Sequence, residues 1–494
     1  MKKHIYKPAA VKNRLSLRRV LDALQVKKGL AYTLLAGSLL FATSCDLVLD
    51  QEPQTEVKEE IAITDIKGAQ AALAGMFNQL QSGDYYGRNI QIMSDISSDQ
   101  AQSVGTWDFY REMDTYVIDK GNIENGNLWL RAYQAINIAN HIIEKVPAIA
   151  SINQADKDNI VGQAHFIRGL VYFDLAKVYG GVPGVVGTLG VPLVLQPSKV
   201  VNESFFPARA TLDATYAQAE TDILEGLRLM PETQKSGSAT ISQGVKGSAR
   251  ALLSRLYLFT NKPAEVIKYA DEVIVDNKYK LVGSYSSIFA NDFTSEAILE
   301  LDFNNVDQSG IRNWYFPSTS GGRGDVAAHT PFYQEISANP NDERGKMFAL
   351  NATSNVYYPL KYSRAGNIDN IQIIRLGEIY LNRAEAKALT NDLSGALEDL
   401  NTIRVRAGIE AITTLPGKNE LLQLIWKERS FELAYEGHSF FDLVRTGQAL
   451  TKLTNLVRRN GPTISLQNPG RQVFPIPAFD IDANKNLEQN EAYR

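Results

Sequence analysis

Five histidines, one cysteine and a row of glutamates are the residues in this chain best suited to covalent or metal chemistry, and their spacing argues against most of it. His4 sits in a basic leader, and His141, His165, His329 and His438 each lack a second His, Cys or Glu at metal-ligand spacing. Neither an HExxH pair nor a GxSxG nucleophile elbow is present. Gly321, Gly322, Arg323, Gly324 and Asp325 form a glycine-rich run without the Lys-Ser/Thr ending of a phosphate loop, so it reads as a surface loop, and its Arg-Gly-Asp tripeptide as a chance match. Asp480, Asp482, Asn484, Asn486 and Glu491 copy the spacing of a calcium loop, but Lys485 stands where that turn needs glycine. Glu428, Glu432 and Glu436 fall one helical turn apart beside Arg429, a pattern for ion pairing inside a helical core. No catalytic residue, metal or cofactor is expected. Flat rings remain. Trp107 and Tyr110 lie in one aromatic, loop-rich stretch (83–125), and Trp314, Tyr315 and Tyr333 in another (304–370). Indole and phenol faces suit the apolar faces of sugar rings, and Asn, Gln and Arg suit hydroxyls, so these five are the ligand-binding candidates for capture without bond breaking.

The elements that must carry those loops are helical. Asp65 caps a helix over 65–82 whose apolar face is Ile66, Ala69, Leu73, Met76 and Leu80. Leu128, Ala132, Ala135, Ile136, Ala139 and Ile142 keep a 3.6-residue period up to Pro147, and further helices are expected over 156–179 and 211–229. Laying 245–280 on 375–410 exposes a repeat: Ser254 falls on Ala384, Leu258 on Ala388, Thr260 and Asn261 on Thr390 and Asn391, Ala270 on Leu400, Val273 on Ile403. Small and apolar residues around a tight helix-to-helix turn are the economy of a tetratricopeptide unit. Over 304–370 the periodicity vanishes, and unpatterned stretches of that length in a compact protein are usually functional.

The N-terminus reads as an address. Nine Lys and Arg against one acid precede an apolar run from Gly29 to Ala42, too short for a membrane span, and the chain's one cysteine, Cys45, follows Ala42, Thr43 and Ser44. This reads as a bacterial lipoprotein cleavage site, with 1–44 expected as the signal peptide, Cys45 as the residue that takes the diacylglycerol, and 45–64 as an acidic tether. Without the leader, 42 Lys and Arg stand against 54 Asp and Glu, net −12, which argues against nucleic acid and polyanionic substrates as bulk partners.

The most specific text runs from Lys427 to Gly447. Its helical spacing stops at Gly437, and an aromatic hairpin-like return, with Asp442 and Arg445 fixing the turn, is expected after it. Glu428, Arg429, Glu432, Leu433, Glu436, Gly437, Phe441, Asp442, Leu443, Arg445 and Gly447 resemble the C-terminal signature of the SusD/RagB family of outer-membrane lipoproteins. Arg375, Leu376, Glu378, Tyr380, Leu381, Arg383, Ala384, Glu385 and Ala386, and the tail from Val473 through Asn490 to Tyr493, are similar to further family stretches. Asp46, Asp50 and Glu52 resemble the acidic surface-export signals of Bacteroidetes lipoproteins. The resemblance implies a mainly α, SusD-like fold over 65–494, with irregular tetratricopeptide-type helix pairs supporting a loop-rich lobe with a few short strands and the family motif over 421–494. It also implies ligand contacts from the loops holding Trp107 and Trp314–Tyr315, and a partnership with a SusC-like TonB-dependent transporter at the outer membrane. Oligosaccharide capture is the function expected. A RagB-like peptide receptor, a surface glycoside hydrolase and a tetratricopeptide scaffold without a small ligand are the alternatives.

Overall fold

The computed structural model describes residues 63–198, 206–459 and 461–494; the leader, Cys45 and the tether up to residue 62 lie outside them. Helix α1 (Ile66–Gln81) opens the body, with the Asp65 carboxylate accepting from the Gly68 amide at 2.8 Å and so capping a free helix-end donor. The stretch after it is more regular than its sequence suggests: α2 (Asn89–Ile96), strand β1 (Ala101–Ser103) and α3 (Asp108–Asp114) precede the long α4 (Ile123–Lys145). Helix α4 buries the periodic stripe from Leu128 to Ile142 and packs on α1.

Helices α5 (Gln154–Leu175) and α6 (Leu212–Leu229) make the next pair. They approach closely because both faces are notched: a Cβ at Gly169 would come within 2.9 Å of the Ala219 carbonyl, and one at Gly226 within 2.9 Å of the Phe166 side chain. Asp222 locks the pair, its carboxylate taking both Arg168 (2.6 and 2.8 Å) and the His165 ring (2.8 Å). Helix α5 stops four residues before the expected Tyr179 and passes into a wide turn, Ala176–Gly180, closed by the Gly181 amide on the Ala176 carbonyl at 2.7 Å.

The repeat appears in register. Helices α7 (Lys246–Phe259) and α8 (Pro263–Val275) are followed, after strand β2 (Ala297–Leu301), helix α9 (Ile311–Tyr315), β3 (Val326–Ala328), α10 (Thr330–Ile336), β4 (Phe348–Asn351), β5 (Val356–Pro359) and β6 (Ile371–Arg375), by a like pair, α11 (Leu376–Leu389) and α12 (Leu393–Arg406). Both pairs turn on a left-handed asparagine, Asn261 at φ 52° and Asn391 at φ 68°, a conformation that asparagine tolerates best among residues with a Cβ. Helix α8 packs on α11, and α13 (Lys418–Glu432) covers α11 and α12. The described strands form four two-stranded ribbons and no larger sheet. The architecture is mainly α, and none of the described helices is long and apolar enough to cross a membrane.

The signature segment is the ionic keystone, with one correction to its expected shape. Helix α13 ends at Glu432 rather than at Gly437, and the return is a helix, α14 (Ser439–Arg445), not a hairpin. The reason is tertiary: Arg375 Nη2 (2.7 Å) and the Tyr285 hydroxyl (2.6 Å) both donate to the Glu432 carbonyl, which can no longer serve the helical bond from Glu436. The chain then turns through left-handed Tyr435 (φ 63°) and Gly437 (φ 83°). Fully buried Arg375 also holds Glu432 (2.5 Å), Glu436 (2.7 Å) and Glu296 (2.9 Å). Asp442 bridges Arg429 (2.8 Å) and Arg445 (2.7 Å), as the spacing leads one to expect. Burial alone would raise Glu432, but Arg406, Arg375 and Arg344 together hold it at about 2, and Arg429 and Arg445 likewise outweigh burial to keep Asp442 at about 2.

Candidate functional site

Pairing of β1 with β3 brings the two aromatic stretches together. The ribbon is antiparallel, Ala101 opposite Ala328 and Ser103 opposite Val326, so the segment after β1 runs beside the glycine run that precedes β3. The Val104 and Gly105 amides donate to the Asp325 carbonyl at 2.8 and 3.1 Å. Gly105 is required there, because a Cβ would sit 2.1 Å from the Asp325 carboxylate. Held in this way, residue 107 stands at the extended start of α3, opposite α9.

The five predicted ligand residues occupy three environments. Trp107 is open, 41% exposed, with its ring stacked on Phe109 (centroids 5.2 Å apart, planes 24°) and 6.5 Å from Trp314. Trp314 shows only 8% and braces Trp107 from within the lobe, packed edge-on against Phe109 and Tyr110. Tyr110 and Tyr315 are fully buried, Tyr110 packed edge-on against Phe109 and Trp314, and Tyr315 stacked on Tyr362 and edge-on to Tyr435. Tyr315 donates to Asp95, whose carboxyl burial pushes up to about 8 despite that bond. Half-buried Tyr333, on α10, stacks on Tyr357 of β5 with centroids 3.5 Å apart, in a ring pair of its own.

Two residues of this site were not among the ligand-binding candidates read from the sequence. Arg323, within the glycine run, places its guanidinium 5.1 Å from the Trp107 ring and 4.8 Å from the Trp314 ring, while its Nε donates to Asp325 at 2.7 Å. Phe109 supplies the underside of the stack. A ring next to a tryptophan and an arginine in a glycine loop are common in any sequence. Only the β1–β3 pairing makes them neighbours. Arg88 closes the far side, 4.9 Å from the Trp314 ring and bound to Glu124 at 2.6 Å.

The result is an open indole face next to a guanidinium whose Nη atoms have no hydrogen-bond partner among the described residues. It supplies a stacking face and hydrogen-bond donors. Among the described residues no three His, Cys, Asp or Glu group as a metal site.

Comparison with known proteins bears on the family and the fold. The SusD family model matches residues 313–493, and a second model, described as starch-binding associating with outer membrane, matches 48–258. A SusD-like protein of Formosa agariphila, P25, is 21% identical over 91% of this chain and 96% of its own length. A SusD superfamily protein of Bacteroides thetaiotaomicron superposes with a TM-score of 0.76 at 26% identity, covering 86% of this chain and 99% of its own. A laminarin-binding SusD-like protein superposes with a TM-score of 0.72 at 22% identity, over 86% of this chain and 99% of its own, a likeness of fold.

Proposed function

The chain belongs to the SusD/RagB family, and on that premise we propose that it is a glycan receptor at the bacterial cell surface, which captures oligosaccharides and passes them to a SusC-like TonB-dependent transporter. The observation that carries the reading is the open Trp107 face, stacked on Phe109 and flanked by Arg323. An apolar indole takes the C–H face of a pyranose, the guanidinium meets hydroxyls at its edge, and the shallow approach leaves an extended chain room to lie across the lobe. Nothing in such an encounter needs a covalent step, so the protein acts as a binder and not as a hydrolase. The starch-binding description of one matching model and the laminarin-binding neighbour both support a glucan-type ligand class.

Delivery requires attachment. Cys45, as the lipidated first residue of the mature chain, tethers the receptor to the outer membrane through the acidic segment up to residue 64, in reach of a transporter mouth. The test is a glycan microarray probed with the purified chain beginning at residue 46, beside a peptide library, followed by reducing-end assay of any glycan retained. Retention of oligosaccharides without new reducing ends is expected. Retention of peptides alone would instead assign a RagB-like peptide receptor, and release of reducing ends a glycosidase.

A further inference from the structure

A second place on the molecule is built to hold a small polar ligand, and it shares no residue with the Trp107 platform. Helices α13 and α14 diverge from the turn at Gly437 and leave between them a cavity of about 290 Å³. Small-molecule sites run from about 300 Å³ upward, so this one admits one or two sugar rings and no longer chain.

The charged groups of the cavity are largely satisfied among themselves. Asp442 gives one oxygen to Arg429 and the other to Arg445, Arg445 spends its two remaining nitrogens on Glu385 at 2.7 and 2.9 Å, and Arg429 Nη1 donates to Asn382 at 2.7 Å. At the mouth Lys427 and Glu335 pair at 2.7 Å, while Glu420 and Lys452, of opposite sign, stand exposed to solvent. These charges balance one another, and the Asp99 carboxylate of the lining stands outside them without an ion-pair partner among the described residues.

The unspent capacity is of another kind. The His438 ring lines the cavity and makes no hydrogen bond to any described residue; burial and the neighbouring Arg255 and Arg429 keep it neutral, so it offers one donor and one acceptor. Gln423 lines it with a free amide. The Asp99 carboxylate faces it with only its own backbone amide as a hydrogen-bond partner among the described residues. Beside these polar groups Trp426 and Leu424 provide an apolar wall. An acceptor carboxylate, neutral donors and one flat ring around a partly open cavity are the complement of a hydroxyl-rich molecule with an apolar face.

We propose that this cavity is a second saccharide site, independent of the platform, which takes one or two neutral pyranose units. Two places for one class of ligand give the receptor avidity for a branched or folded glycan that a single platform lacks.

The test uses the chain beginning at residue 46 with Trp107→Ala, which weakens the platform, titrated calorimetrically with D-glucose, D-galactose, D-mannose, D-xylose and maltose and monitored by saturation-transfer NMR. At least one of these sugars is expected to bind in the millimolar range. Gln423→Trp, made at an exposed helical position where folding is not at stake, plugs the cavity and is expected to weaken that binding about tenfold or more, as is His438→Leu through loss of its hydrogen bonds. Absence of binding by every sugar tested, binding unchanged in both plugged variants, or preference for acetate or glycylglycine over all the sugars would each overturn the proposal. Failure of the platform reading shows separately, as unchanged long-oligosaccharide binding when Trp107→Ala is introduced alone.

Discussion

Replacing Trp107 by alanine is the sharpest trial of the platform, because the structure sets the size of the effect. The residue is 41% exposed, which for a side chain of about 250 Å² leaves about 100 Å² of open indole. At about 25 cal/mol per Å², full coverage by a sugar is worth about 2.5 kcal/mol and coverage of half the face about 1.2 kcal/mol. Trp107→Ala is therefore expected to weaken oligosaccharide binding by between about 8-fold and about 70-fold. Its stability should change little, since the ring lies on the outside of the stack. Trp314→Ala, at 8% exposure, is the matched contrast. It removes a buried ring worth about 3–5 kcal/mol. In a folded body of about 430 residues the entropy of melting is about 0.9 kcal/mol per degree, so that loss lowers Tm by about 3–6 °C. Isothermal titration with the longest oligosaccharide retained on the array, paired with a melt followed by circular dichroism, separates the two effects. The reasoning is refuted if Trp107→Ala binds within about twofold of the parent chain. It is equally refuted if Trp314→Ala abolishes binding while its melt is unmoved.

Other expectations follow from the ionic keystone and the leader. Arg375→Met leaves Glu432, Glu436 and Glu296 buried with fewer partners, and breaking such a pair costs about 3–5 kcal/mol, so Tm should fall by about 3–6 °C; an unchanged or raised melt would make the network dispensable. Glu432 and Asp442 are held at about 2, below their unfolded values near 4, so their stabilisation is fully present above about pH 5 and drains away as the pH falls toward 2. Urea midpoints measured from pH 6 to pH 3 should drop steadily, and Glu432→Gln should flatten that slope. Cys45→Ala in the full chain should abolish labelling by radioactive palmitate and release the protein from the outer-membrane fraction; continued labelling would place the lipid elsewhere.

Much of the scaffold is written locally. The 3.6-residue stripe of α4, the Asp65 cap and the turn at Asn261 and again at Asn391 involve residues that are close in sequence, where each contact depends on spacing alone. The row Glu428, Glu432 and Glu436 likewise announces ion pairing, because acids one turn apart beside an apolar stripe need cations. Its shape was less legible. The end of α13 depends on Arg375 and Tyr285, both distant in sequence, taking a carbonyl that helical spacing would have used.

The site divides along the same line. Residue types on their own led to the expectation that this protein stacks on its ligands, and the placement of its one cysteine to the expectation of a lipid anchor. Which rings face outward was settled by tertiary structure, through a three-residue ribbon joining β1 to β3 across the chain. That ribbon sets Trp107 beside Arg323 and turns Tyr110 and Tyr315 inward, although all three aromatics look alike in sequence. The physical reason is that exposure belongs to a pair of surfaces and not to a residue: a ring is a platform or a piece of core according to what folds over it.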